Sequence, residues 1–164
     1  YSDGFMTINV RDAQFSGCTL PSISGDGYTL GGQLSNNALV VRAANAGNVI
    51  KFTYDIIVGG GSAAASNDQC LLFKVARFGS TSDTNPNSFE TDLRSVYHYN
   101  ESGTANFANQ AIRIEAYDNA QTLDKRYFLC VKGMSDSPPK IIKATRSVET
   151  MVPRNLIDGT ITNG

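Results

Sequence analysis

The sequence has no tryptophan, one histidine and three cysteines, and each scarcity narrows the chemistry that the chain can perform. A Ser-His-Asp or Cys-His arrangement would have to use His98. Cys18, Cys70 and Cys130 are too far apart for metal-ligand spacing, and the last two, which lie in apolar runs, are interpreted as buried free thiols. We therefore predict that the protein is not an enzyme, with no catalytic residues and no metal or other cofactor.

Charged residues of both signs are also few. Charged residues make up 18% of the chain, the formal net charge is −1 and the pI is about 5.8. A nucleic-acid partner would require a basic face, and an anionic membrane surface would attract a polybasic segment. The sequence has neither, and it has no apolar run of about 18 residues that could span a bilayer. We expect no nucleic-acid partner and no membrane insertion.

The chain does contain apolar alternation with a period of two. In residues 49–58 one face carries Ile50, Phe52, Tyr54, Ile56 and Val58, and the other carries the polar Lys51, Thr53 and Asp55. A second apolar run covers residues 70–78, and small residues fill the segment 59–68 between the two runs. This pattern predicts two strands joined by a flexible loop, with the rest of the chain packed on that pair.

Other runs indicate the same class of structure. In residues 111–117 the alternation predicts Ile112, Ile114 and Ala116 on the inward face. Residues 127–131 are apolar without alternation, which is typical of a strand covered on both faces. No stretch has clear helical periodicity, and about nine or ten strands follow one another at short spacing. The sequence therefore predicts an all-β fold, an antiparallel β-sandwich.

The length of 164 residues suits a single domain with a core of its own. Residues 1–37 are interpreted as short N-terminal strands that pack on the sandwich or lead into it. Residues 38–152 are the sandwich, and residues 153–164 form a C-terminal tail.

The order of these features resembles the jelly-roll domains of the tumour-necrosis-factor and complement-C1q type. The resemblance is strongest to the versions at the tips of bacteriophage tail fibres and other virion appendages, and it covers residues 38–152. It begins with a strand (48–58), a small-residue loop (59–68) and a run that ends in a charged residue and glycine (71–79). A polar loop (80–88) follows. Two strands joined near Asp118 come next, with the aromatic-rich return at 126–131, and the final strand covers 144–152.

The resemblance implies a jelly roll and a non-enzymatic virion structural protein that mediates host attachment. It implies a homotrimer, assembled in the host cytoplasm with other virion proteins, whose receptor is a cell-surface glycan or protein. Two alternatives stay open. One is a capsid or capsid-decoration protein that tiles a viral shell, and the other is a carbohydrate module, either binding or hydrolytic.

Candidate binding residues combine aromatic rings with amide side chains, as glycan sites on β-sandwiches do. They are Tyr97, Tyr99, Asn85, Asn87, Asn106 and Asn109. The lack of tryptophan weakens a glycan site, and the alternative is that the tyrosines are core or interface anchors with the hydroxyl at an edge. The candidate recognition loops are 59–68, 80–88, 101–109 and 133–140.

The doubly apolar run also supplies candidates for an oligomer interface, which are Tyr127, Phe128, Leu129 and Val131. One face of this strand would pack within the chain and the other against a neighbouring chain. The residues leave a second interpretation open, in which the strand lies in the core beneath a loop of its own chain.

Overall fold

The computed structural model of the chain describes ten stretches of backbone, with most of their side chains. The described residues are 5–15, 18–19, 28–30, 37–41, 48–59, 70–82, 85–99, 110–119, 121–133 and 140–153. The side chains of 5–15, 18–19, 41, 70, 99, 133, 140 and 153 are not part of that description.

Ten strands account for nearly all of the described backbone, and every pairing between them is antiparallel. The strands are β1 (Phe5–Phe15), β2 (Cys18–Thr19), β3 (Thr29–Leu30), β4 (Leu39–Val41), β5 (Val49–Gly59), β6 (Cys70–Phe78), β7 (Thr91–Tyr99), β8 (Gln110–Asn119), β9 (Lys125–Gly133) and β10 (Lys140–Pro153). The prediction of an all-β antiparallel sandwich is confirmed, while its jelly-roll topology stays a prediction.

The strands form two five-stranded sheets. The first sheet has the order β1-β10-β5-β8, with β2 also paired to β10. The second sheet has the order β3-β9-β6-β7, with β4 also paired to β9. The predicted pair β5 and β6 is therefore split between the sheets, and its members do not hydrogen-bond to each other. Both strands contribute to the core between the sheets, because each turns its alternate apolar side chains toward the opposite sheet.

The main core lies between the sheets, and alternation located its side chains correctly. Ile50, Phe52 and Tyr54 of β5 are buried, as are the inward residues predicted for β8. The ring of Phe52 packs on Tyr127 of β9 across the sandwich, with 4.8 Å between the ring centres. Burial of a side chain such as Phe52 contributes about 1.5–3 kcal/mol.

Strand β9 is covered on both faces by its own chain. Tyr127, Leu129 and Val131 enter the main core, whereas Phe128 belongs to a second apolar cluster on the outward face of the second sheet. That cluster also contains Ala76, Phe78 and Cys130, and it is covered by Tyr28, Leu30, Ala38 and Phe89.

This double cover corrects the oligomer-interface prediction. Tyr127, Phe128, Leu129 and Val131 are all 0% exposed in the single chain. They have no surface left for a neighbouring chain to contact, because segments around residues 28–30 and 89 already lie over the outward face. The core-strand interpretation is the one that the structure supports.

The N-terminal strand is longer than the short strands predicted for residues 1–37. β1 pairs with β10 from Phe5 opposite Pro153 to Phe15 opposite Ala144, with one register shift between Thr7 and Asn9. Residues 5–15 are thus part of the first sheet. The predicted tail beyond residue 153 lies outside the described residues.

A buried asparagine completes the second sheet where two short strands leave a gap. β3 pairs with β9 at residues 130–131 and β4 pairs with it at 125–127. Between them the Asn37 side chain donates to Leu129 O (2.8 Å) and accepts from Leu129 N (3.2 Å). Its amide therefore acts as a substitute for a neighbouring strand. The buried Arg146 of β10 donates to Asn37 O (2.6 Å) and ties this point to the first sheet.

Candidate functional site

Four side chains form a line across the outward face of the second sheet. Leu72 of β6 pairs with Tyr97 of β7 on one side and with Lys132 of β9 on the other. Tyr28 lies beyond, with its ring centre 5.9 Å from Lys132 Nζ. The neighbours of Leu72 along β6 enter the main core, so alternation points Leu72 outward. We call Tyr97, Leu72, Lys132 and Tyr28 the outer row.

Tyr97 is the most exposed member of the outer row, with 58% of its surface accessible. Among the described residues, the exposed large hydrophobic side chains are Val40, Tyr97, Leu123 and Ile142, and Tyr97 is the single aromatic one. A tyrosine on a strand presents a flat apolar ring and a hydroxyl with little conformational entropy to lose on binding. Tyr97, a predicted binding residue, therefore lies at the surface, and its role in binding stays a prediction.

The two tyrosines of the outer row are electrostatic neighbours. Tyr28 is half-buried, and burial raises the pKa of its hydroxyl. Tyr97 and Asp92 raise that pKa further, since a negative charge on either would repel the ionised phenol. The two rings therefore lie on the same surface near Leu72 and Lys132.

A buried lysine supports this surface from one side. Lys74 Nζ lies 4.3 Å from the ring centre of Tyr28, 3.8 Å from that of Phe89 and 3.6 Å from the carboxylate of Asp92. A cation between two aromatic faces is attracted to both, by more when it is desolvated, as this 8%-exposed residue is. Lys74 thus positions Tyr28 and Phe89 on the outward face.

The loop between β6 and β7 carries the predicted binding residues Asn85 and Asn87. Asn85 Oδ1 accepts from Asn87 N (3.0 Å), and Ser88 N donates to Asn85 O (3.1 Å). The loop is fastened to the sandwich at Thr81, whose carbonyl accepts from Arg126 (2.8 Å). The Asn85 and Asn87 side chains are exposed, as predicted, on a segment that its own turns hold in shape.

A network of charges closes this loop at its C-terminal end. Arg77 donates from Nε to Glu90 (2.9 Å) and from Nη1 to both oxygens of Asp118 (2.8 and 2.9 Å). Lys125 donates to Glu90 (3.0 Å), and the Tyr127 hydroxyl donates to Asp118 (2.7 Å). Hydrogen bonds from Arg77 and Lys125 hold the pKa of Glu90 below its usual value. Burial, followed by the contact with Asp118, raises the pKa of Tyr127.

The structure does not describe the side chains of the remaining predicted binding residues. The Tyr99 side chain, Asn106 and Asn109 lie outside the described part of the chain. His98, the histidine that a catalytic arrangement would have to use, is half-buried, and its Nε2 is 2.9 Å from Gln110 Oε1, which links the edge strands of the two sheets. In the described ranges no three His, Cys, Asp or Glu side chains group as metal ligands. No helix within those ranges is long and apolar enough to cross a bilayer.

Comparison with known proteins leaves the chain without an assigned family. No protein-family model and no curated protein sequence matches it. Among solved structures it is similar to the K1 cleaved adhesin domain of Lys-gingipain from Porphyromonas gingivalis W83, with 14% identity over 92% of this chain and 91% of that domain. The TM-score of 0.31 is too low for this likeness to support a conclusion about fold or function.

Sequence reasoning identified Tyr97 but missed Leu72, Lys132 and Tyr28. Lys132 follows directly on an apolar strand, and alternation along that strand would have placed it outward with Phe128. No comparable signal exists for Tyr28, because its position depends on pairing with a strand about one hundred residues further along the chain.

The outward face of the first sheet has a depression of about 360 Å³ over β5, β8 and β10. Ile57 and Ala111 contribute apolar surface to it, and Lys143 and the ion pair of Asp55 with Arg113 contribute charge. It contains none of the predicted binding residues.

Proposed function

We propose that this chain is a non-catalytic recognition domain that attaches a virion appendage to its host through the outer row. The virion setting comes from the resemblance of residues 38–152 to phage-fibre jelly rolls. The choice of the outer row as the binding surface is supported by the exposure of Tyr97. A rigid sandwich would present the receptor site, and several copies would add avidity.

The observation that carries the proposal is the exposure of Tyr97 on a strand. A large aromatic side chain that is 58% accessible gains little for folding, since most of its apolar area stays in water. It gains most when a ligand covers it, and exposed aromatic residues are enriched at the centres of binding surfaces. Leu72 adds apolar area next to Tyr97, and Tyr28 adds a second aromatic ring beyond Lys132.

The strand order supports the jelly-roll part of the proposal. β5 to β6, β7 to β8, β8 to β9 and β9 to β10 each pass from one sheet to the other, whereas β6 and β7 pair with each other within one sheet. Connections that separate consecutive strands are those of Greek keys, and two Greek keys make a jelly roll.

Binding to cells and to arrayed glycans tests the proposed site. We expect Tyr97→Ala to reduce binding of the labelled protein about tenfold or more, the loss typical of a central aromatic contact. Leu123→Ala is the matched control, because Leu123 is 67% exposed but lies between β8 and β9. Equal losses in the two variants, or full binding by Tyr97→Ala, would remove the outer row as the receptor site.

The homotrimer is tested by sedimentation of the purified chain. For a trimer, sedimentation equilibrium should give a molar mass three times the 17.6 kDa of one chain. A monomer contradicts this part of the proposal. A species that polymerises or closes into cages favours the shell-forming alternative.

A further inference from the structure

We propose that the outer row selects acidic saccharides, with Tyr97 carrying a sugar ring and Lys132 pairing with the carboxylate or sulfate on that sugar. This inference rests on the proposed function, because it names the class of receptor that the same surface binds. The argument depends on the charge of Lys132 and on its place between two tyrosines.

Lys132 places a positive charge in the outer row. Among the described residues, no carboxylate oxygen lies within 4.0 Å of Lys132 Nζ, whose recorded contact is the ring of Tyr28. Lys74 on the same face is paired with Asp92. Lys132 is therefore a positive charge on this face with which a ligand can pair.

The register places this charge within reach of a ligand on Tyr97. Tyr97 and Lys132 are both neighbours of Leu72, on opposite sides, so their backbones are about 10 Å apart. Both side chains project from the same face. A sugar ring stacked on Tyr97 over Leu72 would bring an acidic substituent to the ammonium group. Tyr28 borders that group on the far side.

The surroundings of Lys132 favour an anion over a neutral hydroxyl group. Lys132 is half-buried, so part of its hydration shell is already replaced by protein. An ion pair at such a site is screened less than one between fully exposed groups. A neutral sugar would cover the ammonium without supplying a counter-charge, and a saccharide with a carboxylate avoids that cost.

Titration calorimetry with trigalacturonate and galactotriose tests the inference, because the two ligands differ in their charge. We expect trigalacturonate to bind the native protein about two- to fivefold more tightly, the range that a partly exposed ion pair supplies. Lys132→Gln should abolish this preference and Lys132→Arg should keep it. A sulfated galactotriose shows which of the two anions is preferred, and tighter binding of either supports the inference.

Lys143→Gln is the matched control. Lys143 is an exposed lysine on the outward face of the first sheet, also without a carboxylate within 4.0 Å among the described residues. Its substitution should leave the preference unchanged. A preference that survives Lys132→Gln, or disappears in Lys143→Gln, would overturn the inference, as would equal affinity for charged and neutral ligands or no binding of any at millimolar concentration. A protein that binds neutral sugars through Tyr97 would keep the proposed function and lose this inference.

Discussion

The two outward faces of the sandwich differ in the side chains that lie on them. The first sheet carries exposed charges on its face that pair across strands, with Arg113 on both oxygens of Asp55 (2.7 and 3.0 Å) and Lys51 near Glu115 (3.9 Å). The second sheet covers its face with an apolar cluster centred on Phe128.

The difference teaches where a ligand surface can arise on such a fold. Exposed ion pairs of the first face contribute little to stability, and water solvates them well. On the second face, the segments that cover the cluster bring Tyr28 and Phe89 beside Lys74, and the surface at their border is aromatic and positively charged. The covering of β9 and the formation of the outer row are therefore consequences of one packing arrangement.

The largest effect should be seen in the reactivity of Cys130, which tests whether the second face is covered. Burial raises the pKa of this thiol to about 12, because the thiolate is poorly solvated there. Near pH 8 its alkylation should be about a thousandfold slower than that of an ordinary thiol, since the thiolate is the reactive form. Iodoacetamide labelling with mass-spectrometric site assignment, in buffer and in urea, measures this ratio. Similar rates in both conditions would mean that the cover is open in solution.

Phe128→Ala should be the most destabilising substitution on that face. Phe128 is fully buried and packs edge-on against Phe78, with 5.2 Å between ring centres. Its truncation should lower the free energy of unfolding by about 3–5 kcal/mol. Thr53→Ala, at an outward position of the first sheet, should cost less than about 1 kcal/mol. Urea unfolding followed by circular dichroism compares the two, and similar losses would contradict the asymmetry of the faces.

Asn37→Ala should have an intermediate effect. The substitution removes the hydrogen bond that the Asn37 side chain donates to Leu129 O and the one that it accepts from Leu129 N. Each unsatisfied group costs about 1–3 kcal/mol, and about 1–2 kcal/mol for each of the two gives an expected loss of about 2–4 kcal/mol in unfolding free energy. Asn119→Ala, at an exposed strand end, should change it by less than about 0.5 kcal/mol. A loss for Asn37→Ala as small as the control's would show that water replaces the amide.

What could be predicted from the sequence is what alternation encodes locally. The inward faces of β5 and β8 were predicted residue by residue, because burial of one face imposes a period of two on any strand. The prediction failed where long-range pairing decides. β5 and β6 were expected to belong together and lie in different sheets.

The candidate site shows the same division. Tyr97 could be predicted as a binding residue from its residue type and its strand. The outer row could not, because it requires the registers of β7, β6 and β9 together with the position of Tyr28.

Residues 127–131 are instructive for another reason. A strand that is apolar on both faces has the same sequence whether its second cover comes from its own chain or from a neighbouring one.

The smallest effect concerns Glu90, the partly exposed carboxylate at the end of the loop that covers the second face. Because Arg77 and Lys125 lower its pKa in the folded state, its contribution to stability is complete above the ordinary pKa of about 4.5 and is lost as the pH falls through the lowered value. Glu90→Gln should therefore cost at most about 1 kcal/mol at neutral pH, after allowance for solvent screening, and nothing once the pH is well below that lowered pKa. Asp55→Asn, in the more exposed ion pair of the first face, should cost less at neutral pH. Urea unfolding over the acidic range measures the difference, and a loss for Glu90→Gln that does not depend on pH would show that the contact acts through packing, with no contribution from charge.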